Sequence, residues 1–332
     1  MEYRRLGHDG PEVSVIGFGV WTVSAGWWGE VSEEMGVKLL REAYDLGINF
    51  YDTADTYGNG KGETILAKAM GRERDDIVIA TKFGYDIYNS TQPEGHQERP
   101  QRFEPEFIRY ALERSLERLG TDYVDLYQFH NPKLEAINND GVFETLDELK
   151  KEGKIGAYGV ALGPAIGWFA QGEASMRMRK VATLQTVYNL LEQEPGCDFF
   201  PIARETGTGI LVRVPHCTGL LEGRYTEDTT FPEGDHRRFR PKEWLENGLI
   251  QVKMLRFLER SDRTLGQAAL KFILAEETVS SVLPNIYDLD QLKEFARAAE
   301  CPDLTTAETA LIRELYENDF YIPTAYKEEL KG

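Results

Sequence analysis

Cysteine is scarce: Cys197, Cys217 and Cys301 are the only three in 332 residues. Their odd number and wide spacing suggest neither a disulfide framework nor a cysteine-ligated zinc site. A reducing cytoplasm is the expected compartment. Basic residues are also in short supply, with 38 Lys and Arg against 56 Asp and Glu and a formal net charge of −18. Nucleic acid and anionic membrane surfaces demand clustered cations, so neither is an expected partner. No apolar run approaches the ~20 residues that span a bilayer, and the opening MEYRRLGHDG lacks the apolar stretch of an export signal. No H-E-x-x-H or comparable ligand set suggests a metal. GFGVWT lacks the third glycine of a dinucleotide fingerprint, and GNGKGET at 58–64 lacks the Lys-Ser/Thr ending of a phosphate loop.

What is present alternates. Short apolar runs fall at 13–19, 48–52, 77–82, 124–130, 156–161, 183–188, 209–214 and 280–284. Between them lie amphipathic stretches such as EEMGVKLLREAYDLG and EPEFIRYALERSLERLG, with further helical patterns at 142–152, 198–206, 242–260, 264–276 and 288–299. Alternating strand and helix implies a parallel sheet, and eight such units in about 300 residues predict a (β/α)8 TIM barrel with a short N-terminal hairpin. An open doubly wound sheet is the alternative. No linker-like segment divides the chain, so one domain over 1–332 is expected, and the polar insertion at 226–244 reads as a surface loop.

Barrel strands present their C-terminal ends to one rim, where the chemistry collects. Asp52 ends the second run, Lys82 the third and His130 the fourth, while Tyr57 follows Asp52 on the loop above it in YDTADTYG. Asp52 alone would read as a turn cap and His130 as a core histidine. Together the four groups suit proton donation to a carbonyl oxygen. An ammonium beside a phenol favours phenolate and lowers its pKa, so Lys82 is expected to acidify Tyr57, with Asp52 holding Lys82 charged and a neutral His130 orienting the carbonyl.

YDTADTYG, IATKFG and YQFHNP in this order, preceded by GFGVW, resemble the aldo-keto reductases. The GWWG loop is similar to a bacterial branch of that superfamily, and the likeness extends from YRRLG to about Ala299. The resemblance implies NAD(P)H-dependent reduction of an aldehyde or ketone, with Tyr57 as general acid, Asp52 and Lys82 tuning it and His130 orienting the substrate. It implies a dinucleotide extended across the barrel mouth and touched by Gly19, Trp21, Asp52, Ala161, Gln185, Arg213, Val214, Pro215, His216, Gly219, Leu220, Asn285, Tyr287 and Gln291. Within that set Gln185 matches a carboxamide-binding glutamine, TGLLEGRYT at 218–226 the loop that passes the pyrophosphate, and LPNIYDLDQLKE at 283–294 the adenosine-end segment.

Three departures stand out. Ala161-Leu162 replaces the usual Ser-Asn pair, and Arg213 stands where an aromatic ring normally stacks on the nicotinamide. The Pro-Gly-x-Arg segment that grips a 2′-phosphate in many relatives is here Pro284, Asn285, Ile286 and Tyr287, with Asp288 and Asp290 close by. A weak preference for NADPH, or a preference for NADH, is therefore expected.

The resemblance implies a small-molecule carbonyl as substrate, with a sugar or small polar compound as candidates. Trp21, Trp27, Trp28 and Phe83, with His130, are expected to line its pocket. Two other functions share these residues: a Schiff-base aldolase using Lys82, and a cofactor-sensing, non-catalytic subunit. The oligomeric state is not readable from the chain.

Overall fold

The computed structural model describes residues 1–26, 29, 31–89, 99–163 and 168–322. An antiparallel hairpin comes first, with β1 (Tyr3–Arg5) against β2 (Glu12–Ser14). Eight parallel strands follow in chain order around one sheet: β3 (Phe18–Gly19), β4 (Phe50–Asp52), β5 (Val78–Phe83), β6 (Val124–His130), β7 (Ile155–Ala161), β8 (Thr183–Val187), β9 (Gly209–Arg213) and β10 (Val279–Leu283). A parallel bridge from Ile16 to Val282, with the Gly17 amide donating to the Val282 carbonyl at 2.9 Å, brings the first strand against the last and nearly closes a (β/α)8 barrel. A Cβ on Gly17 would lie 2.8 Å from the Phe50 ring and 2.9 Å from Leu283, so the seam needs a residue without one.

The expected strand at 13–19 is thus divided. Val13 and Ser14 pair in the hairpin, Ile16 and Gly17 make the closing contact with Val282, and Phe18 and Gly19 pair with β4. An unbroken apolar run carries no sign of where the chain leaves one sheet for another.

Local signals explain where the helices start and stop. Ser32 caps the helix Glu33–Asp45 by accepting from the Met35 amide, and Thr264 with Gln267 forms a reciprocal cap on Leu265–Leu274. The helix Pro105–Leu119 opens on proline and ends at Gly120 in a left-handed conformation. Helices Lys61–Met70, Phe169–Arg177 and Thr306–Glu317 also form, although their patterns were not singled out above.

The inward side chains sort the barrel into two ends. Phe50, Val78, Ala80, Leu126, Leu211 and Leu283 make an apolar plug with Leu6 and Val13 of the hairpin. Arg4 locks that hairpin down by donating to the carbonyls of Leu274, Glu276 and Val279 at 2.9 to 3.2 Å. The N-terminal end is filled, which leaves polar residues to the C-terminal end.

The insertion at 226–244 is more than the polar surface loop expected. Asp235 is fully buried and grips Arg237 through both carboxylate oxygens, while Arg237 also donates to the Tyr225 hydroxyl at 2.7 Å and lies over the Phe231 ring. Among the described residues, no helix is long and apolar enough to cross a membrane. No group of three or more His, Cys, Asp or Glu among them could hold a metal ion.

Candidate active site

Strand register assembles the site. Asp52 lies beside Ala80, and Lys82 beside Gln128. Side chains alternate along each strand, so Asp52, Lys82, Gln128 and His130 all project to the same side of the sheet. The Lys82 ammonium, 1% exposed, donates to Asp52 Oδ1 at 2.6 Å, to the Thr53 carbonyl at 2.7 Å and to the Tyr57 hydroxyl at 3.1 Å. An ammonium has three protons, and all three are engaged. On its other oxygen Asp52 accepts from Gln128 Nε2 at 3.0 Å and from Gln185 Nε2 at 2.9 Å. Each charge removed from water is met by several partners, as burial of an ion pair requires.

The loop from β4 carries the rest. Thr56 Oγ1 lies 3.4 Å from His130 Nδ1, and the edges of Trp21 and His130 stand 5.0 and 6.0 Å from the Tyr57 ring, measured between centroids. Gly62 sits beneath, where a Cβ would come within 2.8 Å of Thr53 Oγ1 and 3.2 Å of Tyr57 Cβ. Tyr51 points the other way, into the strand–helix layer, and donates to the carbonyls of Leu40 and Ile48. Asp55 is buried, and burial with the neighbouring Glu63 carboxylate pushes its pKa well above the usual range. The two tyrosines and two aspartates of YDTADTYG therefore divide, one of each serving the barrel mouth.

Lys82 does pull the Tyr57 pKa down, as expected, but the net shift is upward. Burial pushes the Tyr57 phenol above its ordinary value, with Lys82 pulling down less than burial and the Asp52 carboxylate push up. Desolvation penalises phenolate in a dry site, so Tyr57 stays a phenol. Burial opposes the Lys82 charge, but Asp52 and Tyr57 outweigh it and its pKa is raised. His130 is held well below its usual pKa by burial, then by Lys82 and Arg213, and is a neutral imidazole at ordinary pH.

The other predicted residues fall into three groups. Arg213, at the end of β9, donates to the Leu162 carbonyl at 3.1 Å, and its charge is felt at both Tyr57 and His130. After it the backbone enters the left-handed region at Val214, Cys217 and Thr218, with φ of 56°, 46° and 58°. That conformation is costly for a β-branched residue. Ala161 and Gln185 are paired across β7 and β8, beside His130 on β6.

One assignment fails. Phe83 is fully buried in the outer layer, stacked on Tyr127 at 4.4 Å and beside Phe129, because a strand that turns Lys82 inward turns Phe83 out toward the helices. It does not line a pocket at the mouth. The His216 ring is packed on Phe295 at 4.4 Å with Nε2 3.0 Å from the Gly266 carbonyl, so its side chain is committed to the core. Trp27 and Trp28 lie outside the described residues.

The far end of the mouth is built by the two segments after β9 and β10. Glu222, at the end of the turn Leu220–Glu222, meets Tyr287 and Gln291, its Oε2 accepting from Gln291 Nε2 at 2.8 Å. Glu222 Oε1 is buried without a hydrogen-bond partner. An orphaned carboxylate oxygen suits a hydroxyl donor, so these residues fit the ribose of a dinucleotide.

Some of these residues escaped sequence reading. Gln128 carried a signal, standing two residues before His130 on one strand and so on the same side. Thr53 and Thr56 act through a carbonyl and a second hydroxyl contact, which composition does not mark.

Comparison with known proteins agrees with this geometry. The profile of the Aldo/keto reductase family matches residues 15–317, beyond the Ala299 limit expected and through the helix Thr306–Glu317. Aldo-keto reductase YhdN of Bacillus subtilis (strain 168) is 35% identical over 244 residues, 73% of this chain and 70% of that protein. The NADH-specific methylglyoxal reductase of Escherichia coli (strain K12) is 29% identical over 94% of this chain and 97% of its own length. Aldo-keto reductase yakc of Schizosaccharomyces pombe (strain 972 / ATCC 24843), whose name specifies NADP(+), is 31% identical over 97% of this chain and 94% of that one. The structure of the glycerol dehydrogenase AKR11B4 from Gluconobacter oxydans superposes with a TM-score of 0.81 at 28% identity, covering 97% of this chain and 96% of that one. Fold and matches together define an NAD(P)H-dependent oxidoreductase on a (β/α)8 barrel. The chain belongs to the Aldo/keto reductase family.

Proposed function

We propose that this chain reduces a small aldehyde or ketone to the alcohol, with Tyr57 as the general acid. The observation that carries the reading is the Lys82 ammonium, buried between Asp52 Oδ1 and the Tyr57 hydroxyl. Bound NAD(P)H supplies the hydride that reaches the carbonyl carbon. Tyr57 gives its proton to the carbonyl oxygen, and Lys82 stabilises the phenolate left behind. His130 is neutral with Nδ1 turned to Thr56, which leaves Nε2 to hold the carbonyl oxygen toward Tyr57. Arg213, Ala161, Gln185 and Trp21 hold the nicotinamide end, and Gly219, Leu220, Asn285, Tyr287 and Gln291 the adenosine end. The small polar compounds in relatives' names, methylglyoxal and glycerol, fit a mouth furnished with Tyr57, His130 and Trp21.

The same geometry disfavours the aldolase. A Schiff-base lysine must be neutral to attack, whereas the three acceptors of Lys82 and its raised pKa keep it protonated. The test is a carbonyl panel followed by loss of reduced-nicotinamide absorbance, with Tyr57→Phe alongside. Turnover should fall at least ~10²-fold with cofactor affinity near wild type. Retained activity rejects the assignment. Tight dinucleotide binding without turnover on any carbonyl would favour the cofactor-sensing subunit.

A further inference from the structure

The Glu222 carboxylate is 9% exposed and ends the short turn Leu220–Glu222. Its Oε2 accepts from Gln291 Nε2 at 2.8 Å and lies 3.5 Å from the Tyr287 hydroxyl, while Oε1 is buried without a partner. The charges facing it come from every side. Arg224 lies on its own connection, Arg237 on the insertion, and Glu294 on the helix Leu289–Ala296 after β10. Both guanidinium groups are already engaged with acids. Arg224 donates to Glu294 Oε2 at 2.8 Å and feels Asp288 beyond, and Arg237 is clasped by Asp235. Basic side chains from other connections thus reach this end of the mouth, but each is countered by an acid.

We propose that Glu222 decides which dinucleotide the chain takes: Oε1 accepts from a hydroxyl of the adenosine ribose, and the carboxylate refuses a 2′-phosphate. This rests on the reductase reading above and goes beyond it to the residue that sets cofactor choice. A hydroxyl satisfies the orphaned oxygen, whereas a phosphate ester carrying about −1.5 to −2 charges brings only acceptors and like charge. Selection works by a favourable contact with one ligand and repulsion of the other. Burial, the largest influence, raises the Glu222 pKa to about 7, against the pull of Gln291, Arg224 and Arg237, so the repulsion strengthens as pH rises through neutrality.

The test is equilibrium titration of NADH and NADPH by quenching of intrinsic fluorescence, at one ionic strength and at pH about 6 and about 8, for wild type, Glu222→Gln and Glu222→Asp. Wild type should favour NADH at the higher pH by about tenfold or more. Glu222→Gln keeps an acceptor for Gln291 and offers an amide donor to phosphate. It should tighten NADPH by about tenfold and loosen NADH, so that the preference vanishes or inverts. Glu222→Asp keeps the charge on a shorter stem, so it should still refuse NADPH while loosening NADH; it serves if Glu222→Gln does not fold. A ratio of affinities unchanged within about twofold in whichever variant folds overturns the role of Glu222. Wild type that binds neither dinucleotide overturns the reductase reading itself.

Discussion

Gln185 holds its amide nitrogen 2.9 Å from Oδ2 of Asp52, across 133 residues of chain, and Gln128 meets the same oxygen from 76 residues away. Two carboxamides thus keep one buried carboxylate in place for Lys82. Replacing either glutamine by leucine leaves that oxygen short of a donor, at an expected cost of ~1 to 3 kcal/mol in urea unfolding. Gln128→Leu should spare dinucleotide affinity, whereas Gln185→Leu should weaken it, because only Gln185 is assigned to the nicotinamide end. Identical binding constants for both variants would remove that assignment.

In the proposed mechanism Lys82 and Tyr57 serve one proton. Lys82→Met combined with Tyr57→Phe should be barely slower than the worse single variant, because two groups acting as a unit do not contribute separately. Rates that multiply in the double mutant would separate them.

The pH profile has a required shape. Tyr57 must be protonated to act and its pKa is raised, so kcat/KM for reduction should not decline below about pH 10, the ordinary phenol value. His130 is neutral well below its usual range and should add no inflection near pH 6.5. An inflection there that disappears in His130→Gln would show that the imidazole titrates where it should not.

In the proposed reading Arg213 places a guanidinium at the nicotinamide end. It repels the cationic oxidised ring more than the neutral reduced one, so calorimetric titration should find the reduced cofactor bound more tightly, with the gap narrowing in Arg213→Ala. Equal affinities of the two redox forms in both proteins would dismiss the effect.

Glu222 should also leave a mark on stability. Its pKa rises from an ordinary 4.5 to about 7 on folding, so between those values the folded chain binds more protons than the unfolded one. Stability must then fall as pH rises through that window, with the penalty complete above about 7. The apparent melting temperature of wild type relative to Glu222→Gln should drop between pH about 5 and about 8. A constant difference would mean that Glu222 titrates normally.

Much of this arrangement is legible in the sequence. The run at 124–130 is β6 residue for residue, the strands at 155–161 and 209–213 depart from their runs by one residue at one end, and the strand at 78–83 is shifted by one residue at both. Such strands announce themselves because helices cover the sheet and leave continuous apolar sequence. Helix Lys61–Met70 hid behind GNGKG, where Gly60 starts it from a left-handed conformation instead of a polar cap. The four groups around Tyr57 were readable because strand ends in a barrel converge by construction. The sign of the Tyr57 shift was not. It depends on how far burial outweighs one ammonium, a balance of two large quantities that only the three-dimensional packing sets. Glu222 stayed hidden for a related reason, since its partner Gln291 is 69 residues away on another segment.

The donors around Asp52 come from sequence distances of 30, 76 and 133 residues, on strands β5, β6 and β8. The full set of contacts cannot form until the five strands β4 to β8 stand in their final register. Pairings this remote are slow to assemble, because each must offset the entropy of a long closed loop. During refolding, recovery of turnover should therefore trail recovery of helical signal. Catalysis in this chain would time the arrival of the complete ring of strands, and a kinetic trap with one strand out of place would hold nearly all of its helices and none of its activity.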